Sequence, residues 1–155
     1  MDNSNEALSD LATMFVNYPE NPTPGHHLVD KSRLDFTPDS LSYLDDHIEE
    51  MRSQKLSDDQ WNVFILRSGA YVGEMIRRMS QPDTNWQWMS YEQASLVSDM
   101  VRQADKNIST VAVLWDGADG LIFPLGKITK FIENGREDSV HFYAHVISKL
   151  ASSDE

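Results

Sequence analysis

The four residues Ser57-Asp58-Asp59-Gln60 form a capping box, in which a serine side chain and a glutamine three positions on satisfy each other's free backbone N–H groups. Leu56 and Trp61 flank it as a hydrophobic staple, so a helix is predicted from 58 to about 80. Val63, Phe64, Ile65, Leu66, Ala70, Val72, Met75 and Ile76 cover more than one stripe of that helix. A helix apolar on several faces has to be surrounded, which makes this segment the expected centre of the core. Gly69 and Gly73 lie one turn apart on it, each costing about 1 kcal/mol of helix propensity relative to alanine. Close approach of another backbone across the two missing side chains is the expected compensation.

The remaining periodicities surround this helix. Leu8, Leu11, Ala12 and Phe15 predict a short helix over 5–16, and the proline-rich stretch 17–33 predicts an irregular connection. Thr37 as cap, Pro38 at the first helical position and Phe36 stapling onto Leu41 predict a helix over 38–53, with Leu41, Leu44, Ile48 and Met51 inward. Trp86 and Trp88 alternate as in a short strand. Ser90 to Gln93 is a second capping box, opening a helix to about 105 that buries Leu96, Val97, Met100, Val101 and Ala104. Thr110–Trp115 and Leu121–Phe123, joined by Asp116-Gly117-Ala118-Asp119-Gly120, predict a hairpin of two buried strands. A short helix ending at Gly135 and a last one, capped by Asp138 and running through Leu150, complete the chain. The expectation is one α+β domain over 1–150, with about three antiparallel strands and five or six helices, and a frayed tail over 151–155.

Charge narrows function. Twenty-five acidic against 13 basic side chains give a net charge of -12, which repels nucleic acid and anionic membrane and attracts a basic protein. No apolar run reaches the ~20 residues of a membrane span, the first ten residues lack a signal-peptide pattern, and there is no cysteine. Residence in the cytoplasm is the expectation. Asp39, Asp45, Asp46, Glu49 and Glu50, continued by Asp58 and Asp59, are the candidate partner-binding residues, a flank able to imitate phosphates or to occlude a cationic active site.

Other candidates are weaker. Glu74 with Arg77 and Arg78 beside the glycine pair reads as a paired charge cluster, or as a carboxylate in a cleft walled by Trp86 and Trp88, the site of a small enzyme or ligand-binding protein. His141 and His145, with Asp138 one turn earlier, have metal-sharing spacing, but Phe142 stands where a zinc protease carries its glutamate. His26-His27 with Asp30 is no stronger. Asp116 to Gly120 lacks the oxygen ligands of a calcium loop. No phosphate loop, dinucleotide fingerprint or nucleophile elbow occurs, so no catalytic residue, metal or cofactor is expected.

Three stretches taken together resemble a known family: Leu34-Asp35-Phe36-Thr37-Pro38-Asp39-Ser40-Leu41 with Leu44 and Asp45; Gly69-Ala70-Tyr71-Val72-Gly73-Glu74 with Arg77; and Phe123-Pro124-Leu125 through Gly135-Arg136-Glu137-Asp138-Ser139-Val140. The family is one of small acidic bacterial proteins of unassigned function, similar over residues 34–147, some of them like immunity proteins encoded beside bacterial toxins. The resemblance implies Gly69, Gly73, Glu74 and Arg77 as a structural motif and carries no catalytic residues. It implies a non-enzymatic partner role, neutralising a toxin by occluding or distorting its active site.

Overall fold

A computed structural model describes residues 4–152. Helix α3 (Asp58–Met79) occupies the centre, and its N-terminus carries both halves of the capping box: Gln60 N–H donates to the Ser57 hydroxyl and Ser57 N–H to the Gln60 side chain. From Phe64 to Ile76 every residue except Leu66 is buried. Around it pack α1 (Ser4–Val16), α6 (Pro124–Asn134) and α7 (Val140–Ser152), while α2 (Pro38–Met51) lies against α7 and α6.

The expected backbone approach is found at Gly69, whereas at Gly73 a side chain fills the space instead. A Cβ on Gly69 would stand 2.9 Å from Leu125 Cα and 2.8 Å from its side chain, so α6 approaches α3 where Gly69 leaves room. A Cβ on Gly73 would stand 2.1 Å from the Trp88 ring, so the indole fills the place of the absent side chain. Packing of this closeness brings dispersion contacts that no larger residue would permit.

Trp88 belongs to β1 (Gln87–Ser90), which pairs antiparallel with β2 (Ala112–Trp115) in the register Trp88 to Leu114; β2 pairs with β3 (Leu121–Ile122) across the hairpin. The sheet order is β1-β2-β3. Asp116 folds the hairpin loop by accepting from the N–H groups of Ala118 and Gly120 at 2.8 and 2.9 Å, with Gly117 at a φ of 87°. Its carboxylate thus serves the turn. β2 is buried as expected, but β3 is half-buried, an edge strand of two residues paired only with β2.

Three other expectations need correction. The predicted helix over 91–105 is two helices, α4 (Tyr91–Val97) and α5 (Asp99–Ala104), because Ser98 turns extended (φ -142°, ψ 118°) and its hydroxyl caps the Val101 N–H. Ala94 and Val101 are buried, whereas Leu96, Val97 and Met100 are 81, 51 and 56% exposed and Ala104 is exposed too. Thr37 sits at the start of α2 but gives its hydroxyl to Asp35 instead of to the helix. Phe36, at a positive φ of 59°, stacks against the Tyr71 ring instead of serving as a simple staple. The Tyr71 hydroxyl accepts from Phe36 N–H at 2.9 Å and bonds Ser40 at 2.7 Å, tying the start of α2 to α3.

The 17–33 connection is irregular, with short 3-10 turns at His26–Leu28 and Lys31–Arg33. It is anchored from below: buried Arg67 donates to the Asn21 carbonyl at 2.8 Å and to the Thr23 hydroxyl at 3.1 Å. Of the tail, Ala151 and Ser152 continue α7, and the expected fraying of 153–155 lies outside the described residues. Among the described residues no helix is long and apolar enough to cross a membrane.

Candidate functional site

Helical geometry sorts the acidic residues of α2. At about 100° per residue, Asp39, Asp46 and Glu50 fall within about 40° of one another, whereas Asp45 stands about 100° behind Asp46. The outward stripe is exposed at all three positions, with Glu49 half-exposed on its flank. Asp58 and Asp59, seven residues and more beyond α2 in sequence, are exposed at the N-terminus of α3, where the helix dipole favours negative charge.

Asp45 does not belong to this surface, which corrects its place among the partner-binding candidates. It is 8% exposed and its carboxylate accepts from the Val140 N–H at 2.8 Å and from the Ser139 hydroxyl. Asp45 therefore holds the start of α7 against α2, satisfying an N–H that a helix N-terminus leaves free. The side-chain cap on α7 itself comes from Ser139, which accepts from Phe142 N–H at 3.1 Å. The predicted cap, Asp138, is engaged elsewhere, by Lys127 at 2.8 Å and Asn134 at 2.9 Å, and these hydrogen bonds hold its carboxyl below the usual range.

Internal cations neutralise part of the stripe. Arg136 meets Asp46 at 2.9 Å, and that hydrogen bond holds its guanidinium more firmly protonated; Arg52 meets Glu49 at 2.9 Å. Asp39, Glu50, Asp58 and Asp59 form no ion pair among the described residues. Exposed carboxylates of this kind accept hydrogen bonds and attract cations. Asp59 also lines a hollow of about 440 Å³ with His26 and His27.

Glu74, Arg77, Trp86 and Trp88 are brought together, as a closed knot. Glu74 is 6% exposed and its Oε2 accepts from Trp88 Nε1 and from Arg77, each at 2.9 Å, while Arg77 Nε donates to the Trp86 carbonyl at 3.1 Å. The indole of Trp88 occupies the hollow over Gly73, so the four residues pin β1 to α3 where the sequence suggested a cleft. Gly73, Glu74 and Arg77 meet in this knot, whereas Gly69, one turn earlier, faces Leu125 of α6. Arg78 lies outside it, its guanidinium 4.0 Å over the Phe36 ring.

The histidine candidates separate from their carboxylates. His141 and His145 have ring centroids 5.5 Å apart beside exposed Phe142, but Asp138 is committed to Lys127. Asp30, beside His26 and His27, accepts from Ser32. A histidine not singled out in the sequence is the buried one: His47 is 3% exposed between the rings of Phe15 and Phe64, its Nδ1 without a hydrogen-bond partner. Burial, assisted by His27, pushes its pKa down to about 4.

The surface most at odds with the sequence reading is formed by α4 and α5. Exposed Leu96, Val97 and Met100 adjoin a groove of about 630 Å³ between α5, β3 and α6, floored by Leu121, Ile122, Phe123 and Tyr143. The pattern Ser98-Asp99 before an apolar pair was a start signal inside the predicted helix and marks where it breaks. No family model, curated protein or solved structure matches this chain.

Proposed function

We propose that this chain is a non-enzymatic, acidic protein-binding module for a basic protein partner, in its most specific form a bacterial immunity protein that neutralises a cognate toxin. The observation that carries the reading is the outward stripe of Asp39, Asp46 and Glu50 on α2, with exposed Asp58 and Asp59 at the start of α3, of which four carboxylates have no cation partner among the described residues. Charges left exposed in this way raise the encounter rate with a cationic surface and set its orientation. The family resemblance over 34–147 supports the toxin as the kind of partner. The polar cluster at Glu74 is consumed by packing, which leaves the binding role as the better supported reading.

The test is capture from the native cell lysate with the tagged chain, washed at two salt concentrations, beside a chain carrying Asp39→Lys, Glu50→Lys and Asp58→Lys. A basic protein held in stoichiometric amount, lost in the variant, toxic when expressed alone and harmless with this chain present is the expected result. Recovery of no such protein overturns the immunity reading, and equal retention by the variant overturns the acidic face.

A further inference from the structure

Val97 and Met100 line one hollow across the α4–α5 break and Leu96 precedes them on α4, three exposed apolar residues on two helices that between them bury only Ala94 and Val101. Helices of seven and six residues do not persist on propensity alone, and the serine caps at Ser90 and Ser98 hold them open to solvent instead of folding the apolar residues inward. Scattered apolar side chains on a surface need no explanation, whereas a contiguous cluster next to an apolar groove marks a place of contact. Met100 lines both the 630 Å³ groove and a smaller hollow of about 230 Å³ shared with Val97, Trp115 and Leu121. Protruding apolar side chains beside the larger, mainly apolar groove are the arrangement from which interface hot spots are made.

The charges around this face indicate what would cover it. Three of its cations are already matched, Arg102 by Asp99, Lys106 by Glu92 and Lys127 by Asp138. Asp105 at the end of α5, Asp119 in the smaller hollow and Glu133 at the groove are exposed and form no ion pair among the described residues; Lys130, on the same rim, is the opposing unpaired cation. The balance is negative around an apolar centre. We infer that the α4–α5 face and its groove seat a basic amphipathic segment of the partner protein, apolar side chains against Leu96, Val97 and Met100 and lysines or arginines toward Asp105 and Asp119. This rests on the proposed reading of a basic partner and divides the work: the α2 stripe steers the encounter, and this face supplies the contact that resists dissociation.

The experiment uses the intact chain and a defined probe, a leucine–lysine peptide of roughly 18 residues, about five turns, with leucines at helical i, i+3, i+4, i+7 spacing. Its scramble of identical composition is the control. Both are titrated at physiological ionic strength against the unmodified chain, the neutral double variant Leu96→Gln/Met100→Gln, and the α2 reversal described above, with tryptophan fluorescence and light scattering as readouts. The helical peptide is expected to bind at least tenfold tighter than its scramble. The Gln variant, unchanged in charge and with an unchanged melting temperature, should lose most of that margin, while the α2 reversal weakens both peptides alike and keeps it. Absence of a margin, or a margin that survives in the Gln variant, overturns the inference. So does light scattering that shows a dimer dissolved by the Gln substitutions, since a second copy would then be the occupant. Failure to capture a toxin while the margin holds would sink the immunity reading and leave this inference standing.

Discussion

His47 converts burial into a pH dependence whose size follows from its position. An imidazole 3% exposed between two phenylalanine rings loses the hydration of its charged form, and its pKa falls from 6.5 in the open chain to about 4 in the fold. The unfolded state therefore binds a proton more readily than the folded state. The stability that neutral His47 represents is present in full above pH 6.5, declines as the pH falls, and is gone below pH 4. A gap of that size corresponds to about 3 kcal/mol, of which roughly 2.5 is lost between pH 7 and pH 4.5. The perturbation is His47→Phe, which suits the aromatic surroundings and removes a buried nitrogen that has no partner. Urea melts at pH 7, 5.5 and 4.5 on both proteins give the difference directly, because carboxylates and the other histidines titrate alike in each and cancel. The gap between variant and parent should widen by roughly 2.5 kcal/mol over that range in favour of the variant. A gap independent of pH, reproduced with His47→Leu, would refute the assignment of a neutral, desolvated imidazole.

Asp45→Ala should cost about 2 to 3 kcal/mol in urea unfolding, since it strips the Val140 N–H and Ser139 hydroxyl of a buried charged acceptor, while Asp46→Ala one residue later should change stability by less than about 0.5 kcal/mol. Equal effects would contradict the division of α2 into an inward and an outward acid. Gly73→Ala drives a methyl into the Trp88 ring, at 2.1 Å, and should destabilise by a few kcal/mol; in the Trp88→Leu background most of that penalty should vanish, and simple additivity in the double-mutant cycle would show that the two sites do not touch. Glu74→Leu leaves the buried Trp88 Nε1 without an acceptor and should cost about 2 kcal/mol by thermal melting, more than Glu74→Gln, which retains one; the reverse order would place the carboxylate outside the knot.

The parts of the fold legible in the sequence were those set by local chemistry or by a local anomaly. Ser57 and Gln60 cap α3 through their own reach, and Asp116 turns the hairpin through N–H groups two and four residues away. The glycine pair announced close packing because a helix that spends about 1 kcal/mol twice requires a return, although the sequence did not say that Leu125 and Trp88 would supply it. The break at Ser98 was missed for an opposite reason. Leu96, Val97, Met100, Val101 and Ala104 satisfy a single helical stripe, and periodicity counts apolar positions without registering that an extended Ser98 rotates the two halves apart.

The candidate site shows the limit most sharply, because two adjacent aspartates on one helix have different roles. Composition and spacing place Asp45 and Asp46 in the same negative flank, and only the location of α7 separates them: Val140, 95 positions further on, brings a free N–H to Asp45 and leaves Asp46 to Arg136 at the surface. An acidic run read from sequence is thus an upper bound on a docking surface. What remains after subtracting buried acceptors and internally paired acids is the part available to a partner, here Asp39, Glu50, Asp58 and Asp59. Exposed charges in water at physiological salt contribute little binding energy each, so a tight complex built on these four alone would be physically implausible. Leu96, Val97 and Met100 are exposed apolar residues near carboxylates that form no ion pair among the described residues, and under the proposed reading they supply what the stripe lacks.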